Sequence, residues 1–179
     1  APAIDWWRWD RPASAKSSTA DVELSSLGLG TYLGDPGAVV DQGYVEAGRA
    51  FLRAGGNVFD TAANYRGGRS EVALGQVFSG LDRSGFFVST KAGYLPMSDG
   101  RRDEDPKAWF HRVLEGPGIL SADDVVEGCH ALTPKYLDHQ LEVSLAALGL
   151  DHVDLFHLHN PEQQRPLRGP DGFRAVLRK

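Results

Sequence analysis

Asn57-Val-Phe-Asp-Thr-Ala-Ala-Asn-Tyr65 is a short apolar run that ends on a carboxylate and is followed closely by a phenol. Two later runs share its form. Phe86-Phe-Val-Ser-Thr-Lys91 ends on an amine, and Val153-Asp-Leu-Phe-His-Leu-His159 ends on an imidazole. Val88 and Thr90 are β-branched, which suits a buried parallel strand. Chemistry-bearing residues at the ends of successive strands are what a barrel of alternating strands and helices places around its mouth. A phenol, an amine, a carboxylate and an imidazole together suggest a site that donates a proton to a carbonyl oxygen.

The stretches between these runs read as helices. Asp41 to Ala54 carries Tyr44, Val45, Phe51 and Leu52 at helical spacing and stops at Gly55-Gly56. Ser70 is placed to cap a helix running to Ser79. Thr133-Pro134 opens the clearest helix, with Leu137, Leu141, Leu145 and Leu148 in a stripe and Gly149 at its end. Upstream, Val22 to Tyr32 alternates loosely and reads as the first strand. Its Leu27-Gly-Leu-Gly30 lacks the third glycine of a dinucleotide fingerprint. The rhythm breaks between Tyr94 and Leu132. There Ser98 to Asp105 is a charged loop, Asp105-Pro106 starts a short helix to Leu114, and Ser121 can cap a further turn. A long excursion after a strand is usually a lid or recognition surface. Phe173 begins a further helix. Strand and helix in alternation predict a parallel sheet with right-handed crossovers, as a doubly wound sheet or part of an eight-fold barrel.

Composition narrows the function classes. The chain has 179 residues, 41% of them apolar and 24% charged, as in an ordinary globular domain. A net charge of −5 without a basic run argues against a nucleic-acid partner. No apolar stretch approaches the length of a membrane span. Ala1 to Asp10 does not read as a signal peptide. One cysteine, Cys129, excludes an internal disulfide framework, reads as a small buried hydrophobe, and fits a cytoplasmic location. His111, His130, His139 and His152 show no zinc-ligand spacing, so no metal is expected. Residues 1 to 20 read as a tail. The missing initiator methionine and the interrupted last helix suggest part of a longer protein.

Three blocks resemble the aldo-keto reductases: Phe59-Asp-Thr-Ala-Ala-Asn-Tyr65 with Gly67-Gly-Arg-Ser-Glu71, then Val88-Ser-Thr-Lys91, then Asp154-Leu-Phe-His-Leu-His159-Asn-Pro161. The resemblance covers about residues 21 to 179, with an insertion at about 95 to 132. It implies a parallel (β/α)8 barrel, of which some four units are present, and NADP(H)-linked, or else NAD(H)-linked, interconversion of carbonyls and alcohols. Carried over residue by residue, Tyr65 is the proton donor, Lys91 and Asp60 are its charged neighbours, and His159 orients the carbonyl. Gly30, Thr31, Tyr32 and Asp60 approach the nicotinamide ribose, and His159 and Asn160 its carboxamide. Tyr32, Tyr94 and Trp109 are candidates for an apolar substrate wall, although Trp109 can equally pack within the excursion. The family's grip on the adenosine phosphate lies in later strands. A partner is therefore expected, either the rest of the barrel or a second copy.

The residues support the same chemistry directly. A phenol ordinarily titrates near 10, too high for efficient proton transfer at neutral pH. A nearby ammonium favours the phenolate, which is the part Lys91 can play, with Asp60 holding it in place. A neutral imidazole at His159 can donate to the substrate oxygen. A hydride has to come from a cofactor. His157 shares strand parity with His159, where related chains usually carry an apolar residue. It is either an interior polar side chain one layer down or a second contact to the site. The alternative reading is a non-catalytic, nucleotide-sensing or partner-binding barrel.

Overall fold

A computed structural model describes residues 23–96 and 104–165, together with Gly169. The expected tail over residues 1 to 20, most of the charged loop after Ser98 and the helix expected from Phe173 lie outside the described residues. The elements are β1 (Gly28–Gly30), α1 (Ala38–Arg53), β2 (Val58–Asp60), α2 (Arg69–Phe78), β3 (Phe87–Ala92), α3 (Pro106–Phe110), α4 (Pro134–Leu148) and β4 (Leu155–Leu158).

The four strands form one parallel sheet in the order β1-β2-β3-β4. Sequential order separates the two architectures left open by the sequence, because doubly wound sheets reverse direction at a switch point. This sheet is half of a (β/α)8 barrel. Side chains alternate across it. Phe59 and Val88 are register partners, both fully buried under α1 and α2 with Val77, Phe78 and Phe86. One step on, Asp60 pairs with Ser89 and faces the opposite side, and two steps further Lys91 pairs with His157. Helices therefore cover the apolar face, and polar side chains line the other.

Packing among the helices is close. A Cβ added at Gly75 of α2 would lie 2.5 Å from the Ala147 carbonyl oxygen of α4, so only glycine allows this approach. Asp154 ties two strand starts together. Its Oδ2 accepts from Val88 N at 2.7 Å and from Arg83 Nη2 at 2.6 Å.

Between β3 and α4 the chain leaves the barrel pattern. Asp105 caps α3 through Ala108 N at 3.1 Å, and Ser121 and Asp124 form a capping box, both as the sequence suggested. This excursion has its own core of Leu95, Trp109, Leu114, Leu120, Ala131 and Tyr136.

The structure corrects three local readings. The first strand shrinks to Gly28–Gly30, because Glu23 and Ser25 bond to Asn57 outside the sheet ladder. Ser70 does not cap α2. Gly68 stands at that position, and the buried Ser70 hydroxyl donates to the Thr31 carbonyl at 2.7 Å. In α4 the buried face is Tyr136, Gln140, Ser144 and Leu148, whereas Leu137, Leu141 and Leu145 are only half-buried. Tyr136 is drawn inward by the excursion's core, and its hydroxyl donates to the Tyr94 carbonyl at 3.1 Å.

Ser144 lies alongside the buried Glu71, although its hydroxyl has no hydrogen-bond partner among the described residues. Glu71 accepts from Thr90 Oγ1 at 2.6 Å. Burial raises its pKa above the ordinary carboxylate range and outweighs these hydroxyl neighbours. The folded state then holds a proton that the unfolded chain releases as pH rises above 4.5, so stability falls with rising pH from that point. Glu71→Gln removes the linkage. Urea unfolding at acidic and mildly alkaline pH should show the wild type losing stability toward alkali and the variant losing less.

Candidate functional site

Asp60 is the last residue of β2 and Lys91 lies near the end of β3, both on the polar face of the sheet. Lys91 Nζ donates to Asp60 Oδ2 and to the Thr61 carbonyl, each at 2.7 Å. Ser89 Oγ donates to the other Asp60 oxygen at 3.1 Å. The ammonium also sits 4.8 Å from the centre of the Tyr65 ring. Tyr65 begins a 3-10 turn, Tyr65–Gly68, that leads into α2. Its ring meets His159 edge-on, with centroids 5.7 Å apart, and Tyr32 from the other side at 5.0 Å. His159 follows β4 directly, with its amide on the Ala92 carbonyl at 2.7 Å. The four residues singled out in the sequence therefore meet at the C-terminal ends of the strands. Beside them an open cavity of about 430 Å³ is lined by Tyr65, Lys91 and residues 157 to 162.

Tyr65 is held from behind by its neighbour. Arg66 adopts a left-handed backbone, φ 54°, which is uncommon for a residue with a side chain. Its buried guanidinium donates to the Asp35 and Gly37 carbonyls at 3.2–3.3 Å and to Asp41 Oδ1 at 2.5 Å, and it stacks 5.1 Å from the Tyr44 ring. Arg69 completes the cluster on the other Asp41 oxygen. Burial pushes the Asp41 carboxyl up, but the hydrogen bonds and charges of Arg69 and Arg66 outweigh this and hold its pKa below the ordinary value. The start of α1 is thus anchored to the turn that carries Tyr65.

His159 is neutral near pH 7. Burial lowers its pKa first, and the Lys91 ammonium lowers it further. Its Nδ1 is buried without a partner among the described residues. An unpaired nitrogen lone pair is a lesser penalty than an unpaired N–H, which places the proton on Nε2.

The other expected residues divide. Tyr32 is 65% exposed and Tyr94 packs edge-on against His159, with centroids 5.0 Å apart. Asn160 is exposed, its amide 3.5 Å from the Tyr94 hydroxyl. Gly30 has open space over its Cα. Thr31, by contrast, turns away. It is fully buried, and its hydroxyl is taken by the Asp60 carbonyl and Thr61 Oγ1. Trp109 is not brought to the group. It is 8% exposed in the excursion's core and lines a separate cavity of about 510 Å³ beside α2 and α4. His157 lines the cavity beside Lys91. Two residues not anticipated at the site, His130 and Gln164, back the His159 loop. Neither lies in a motif, and their contacts span loops far apart in sequence. No three His, Cys, Asp or Glu side chains form a metal-ligand group among the described residues.

The family profile described as "Aldo/keto reductase family" matches residues 26–176. The chain belongs to this family. It is 31% identical over 146 residues to the NADH-specific methylglyoxal reductase of Escherichia coli (strain K12), a match covering 79% of this chain and 40% of that protein. Among solved structures, it resembles a thermostable aldo-keto reductase in complex with the inhibitor epalrestat. That match has a TM-score of 0.52 at 22% identity and covers 88% of this chain and 48% of the other. A second neighbour, from Pseudomonas aeruginosa and assigned to the same family, gives a TM-score of 0.50 at 21% identity and covers 88% and 52%. The chain thus spans about half the length of these structures or less. At such identities the structural likeness bears on the fold, which is that of a barrel half.

The Arg66 anchor yields a graded expectation. Arg66→Ala loses the clamp and keeps the unfavourable backbone, whereas Arg66→Gly loses only the clamp. Both should destabilise, and alanine should be the worse by about 1 kcal/mol in thermal or urea unfolding.

Proposed function

We propose that this chain carries the proton-donating half of a nicotinamide-dependent carbonyl reductase site. The observation that carries the reading is the Lys91 ammonium, fixed on Asp60 and Thr61 while lying 4.8 Å from the Tyr65 ring. An aldehyde or ketone oxygen beside Tyr65 would take the phenolic proton. Lys91 would stabilise the phenolate left behind, and Asp60 would keep Lys91 in place. The neutral His159 would donate its Nε2 proton to the same oxygen in a hydrogen bond and fix the carbonyl's direction.

The residues present fit one end of a nicotinamide cofactor. Asn160 lines the cavity with Tyr65 and His159, the exposed Tyr32 ring packs on Tyr65, and Gly30 at the end of β1 leaves its backbone open to close approach. Such a cofactor, when bound, supplies the hydride that no side chain can. NADPH follows from the family resemblance, while the Escherichia coli relative is specific for NADH, so both belong in the test. The same relative makes methylglyoxal the first substrate to try.

The complete polypeptide is assayed with methylglyoxal and a panel of aldehydes, using NADPH and NADH. Tyr65→Phe should lower kcat by about a hundredfold or more while KM changes little. Nucleotide binding without a Tyr65-dependent rate would instead support a sensing role and sink the reductase reading.

A further inference from the structure

The strongest unassigned feature is a closed hydrogen-bond circuit behind His159. His130 lies in the excursion, just before α4, and is 1% exposed. Its Nε2 is 2.7 Å from the His159 carbonyl oxygen. Its Nδ1 is 2.8 Å from Gln164 Nε2, and the same Gln164 amide donates to the His130 carbonyl at 3.1 Å. A carbonyl oxygen can only accept, so His130 Nε2 carries a proton. The amide nitrogen can only donate, so Nδ1 is bare. All three contacts hold together in one state, the neutral Nε2–H tautomer. Burial favours that state by lowering the His130 pKa, although the His159 carbonyl and Glu162 act in the opposite direction.

His130 thereby grips both ends of the loop from His159 to Gln164. The rest of the junction is built to the same fit. Gly93 occupies φ 154°, and a Cβ there would lie 2.7 Å from both His130 Nε2 and the His159 oxygen. Ala131 N donates to the Gly93 carbonyl at 2.9 Å, and Leu95 N to the Cys129 carbonyl at 2.8 Å. The Tyr94 ring stands edge-on to His130 and His159 alike, at 4.8 and 5.0 Å. Among the described residues the His159 ring has no hydrogen-bond partner at Nδ1 to fix it. Its placement therefore depends on its backbone and on the flanking Tyr94 and Tyr65 rings.

We propose that His130, seated on Gln164, is a positioning residue for carbonyl reduction, holding the His159–Gln164 loop so that the His159 imidazole meets the substrate oxygen. The excursion is then a strut of the site, with the His130 side chain as its link to the His159 carbonyl. The inference rests on the reading of His159 given above.

The test uses the complete polypeptide with methylglyoxal as substrate probe, together with NMR of ring-labelled histidine. His130→Leu removes both contacts, and His130→Gln restores a donor near the Nε2 position. His130→Leu should lower kcat about ten- to a hundredfold with KM for the nucleotide nearly unchanged. It should also displace or broaden the His159 ring resonance. His130→Gln should recover most of both. If His130→Leu fails to fold, Gln164→Met removes the contacts to His130 Nδ1 and to the His130 carbonyl while keeping the Nε2 bond to His159, and should show the same effects more weakly. A His159 resonance unchanged in the folded variants, or losses in His130→Gln equal to those in His130→Leu, would overturn the proposal. Because the resonance is read without turnover, it separates this outcome from failure of the reductase reading, which shows as wild-type turnover that does not depend on Tyr65.

Discussion

The Lys91 ammonium lies between the Asp60 carboxylate and the Thr61 carbonyl, and it joins the ends of two neighbouring strands. This bond exists in only one register. Strand side chains alternate, so a slip of one residue would send Lys91 into the helix layer and bring Thr90 to the site. The opposite face guards against that slip. Phe59 and Val88 are buried beneath the helices, and Thr90 is bonded to Glu71 of α2. The polar pair on the inner face and the apolar pair on the outer face are thus two consequences of a single alignment. The ammonium's position under Tyr65 is secured by helix packing on the far side of the sheet.

The surroundings of Tyr65 and His159 hold much of the unsatisfied polarity of the described residues. Of the four buried side-chain atoms without a partner among them, three belong to Asn64, Arg66 and His159. A left-handed arginine directly follows Tyr65, and a glycine under steric compulsion lies behind His159. Unpaired groups and uncommon backbone geometry are destabilising where they stand, and they persist because neighbouring contacts over-determine them. Here those contacts are the Asp41 cluster at one end and the His130–Gln164 circuit at the other.

What was legible in the sequence was set by short-range order. Strand ends are marked by the switch from apolar residues to Asp60, Lys91 and His159, and the helix starts at Asp105 and Thr133 carry capping side chains. Ser70 misled because its hydroxyl serves the Thr31 carbonyl just after β1, a partner remote in the chain. The leucine stripe of α4 misled because burial there is decided by what lies opposite. Tyr136 enters the excursion's core and Ser144 faces Glu71, leaving Leu137, Leu141 and Leu145 half-covered while Leu148 is buried. His130 was passed over because a lone histidine between Cys129 and Ala131 has no local signature. Its meaning comes from two loops that the fold brings to it. The Thr31 side chain is engaged within the protein's own packing, and for Trp109, which the sequence left between a substrate wall and packing in the excursion, the structure places the ring in the excursion's core.

The sequential strand order also bears on how the chain assembles. Gly28 pairs with Val58, and Val58 with Phe87, so each of the first closures spans a single strand-helix unit. Loop-closure entropy is then met in small steps, and each unit can settle against its predecessor during synthesis. The step from β3 to β4 is longer because the excursion intervenes. Yet Trp109, Leu114 and Tyr136 pack into one cluster inside that interval. If they collapse first, the distance left to close is far shorter than the count of residues implies. The segment that interrupts the barrel is then also what makes its fourth strand kinetically reachable.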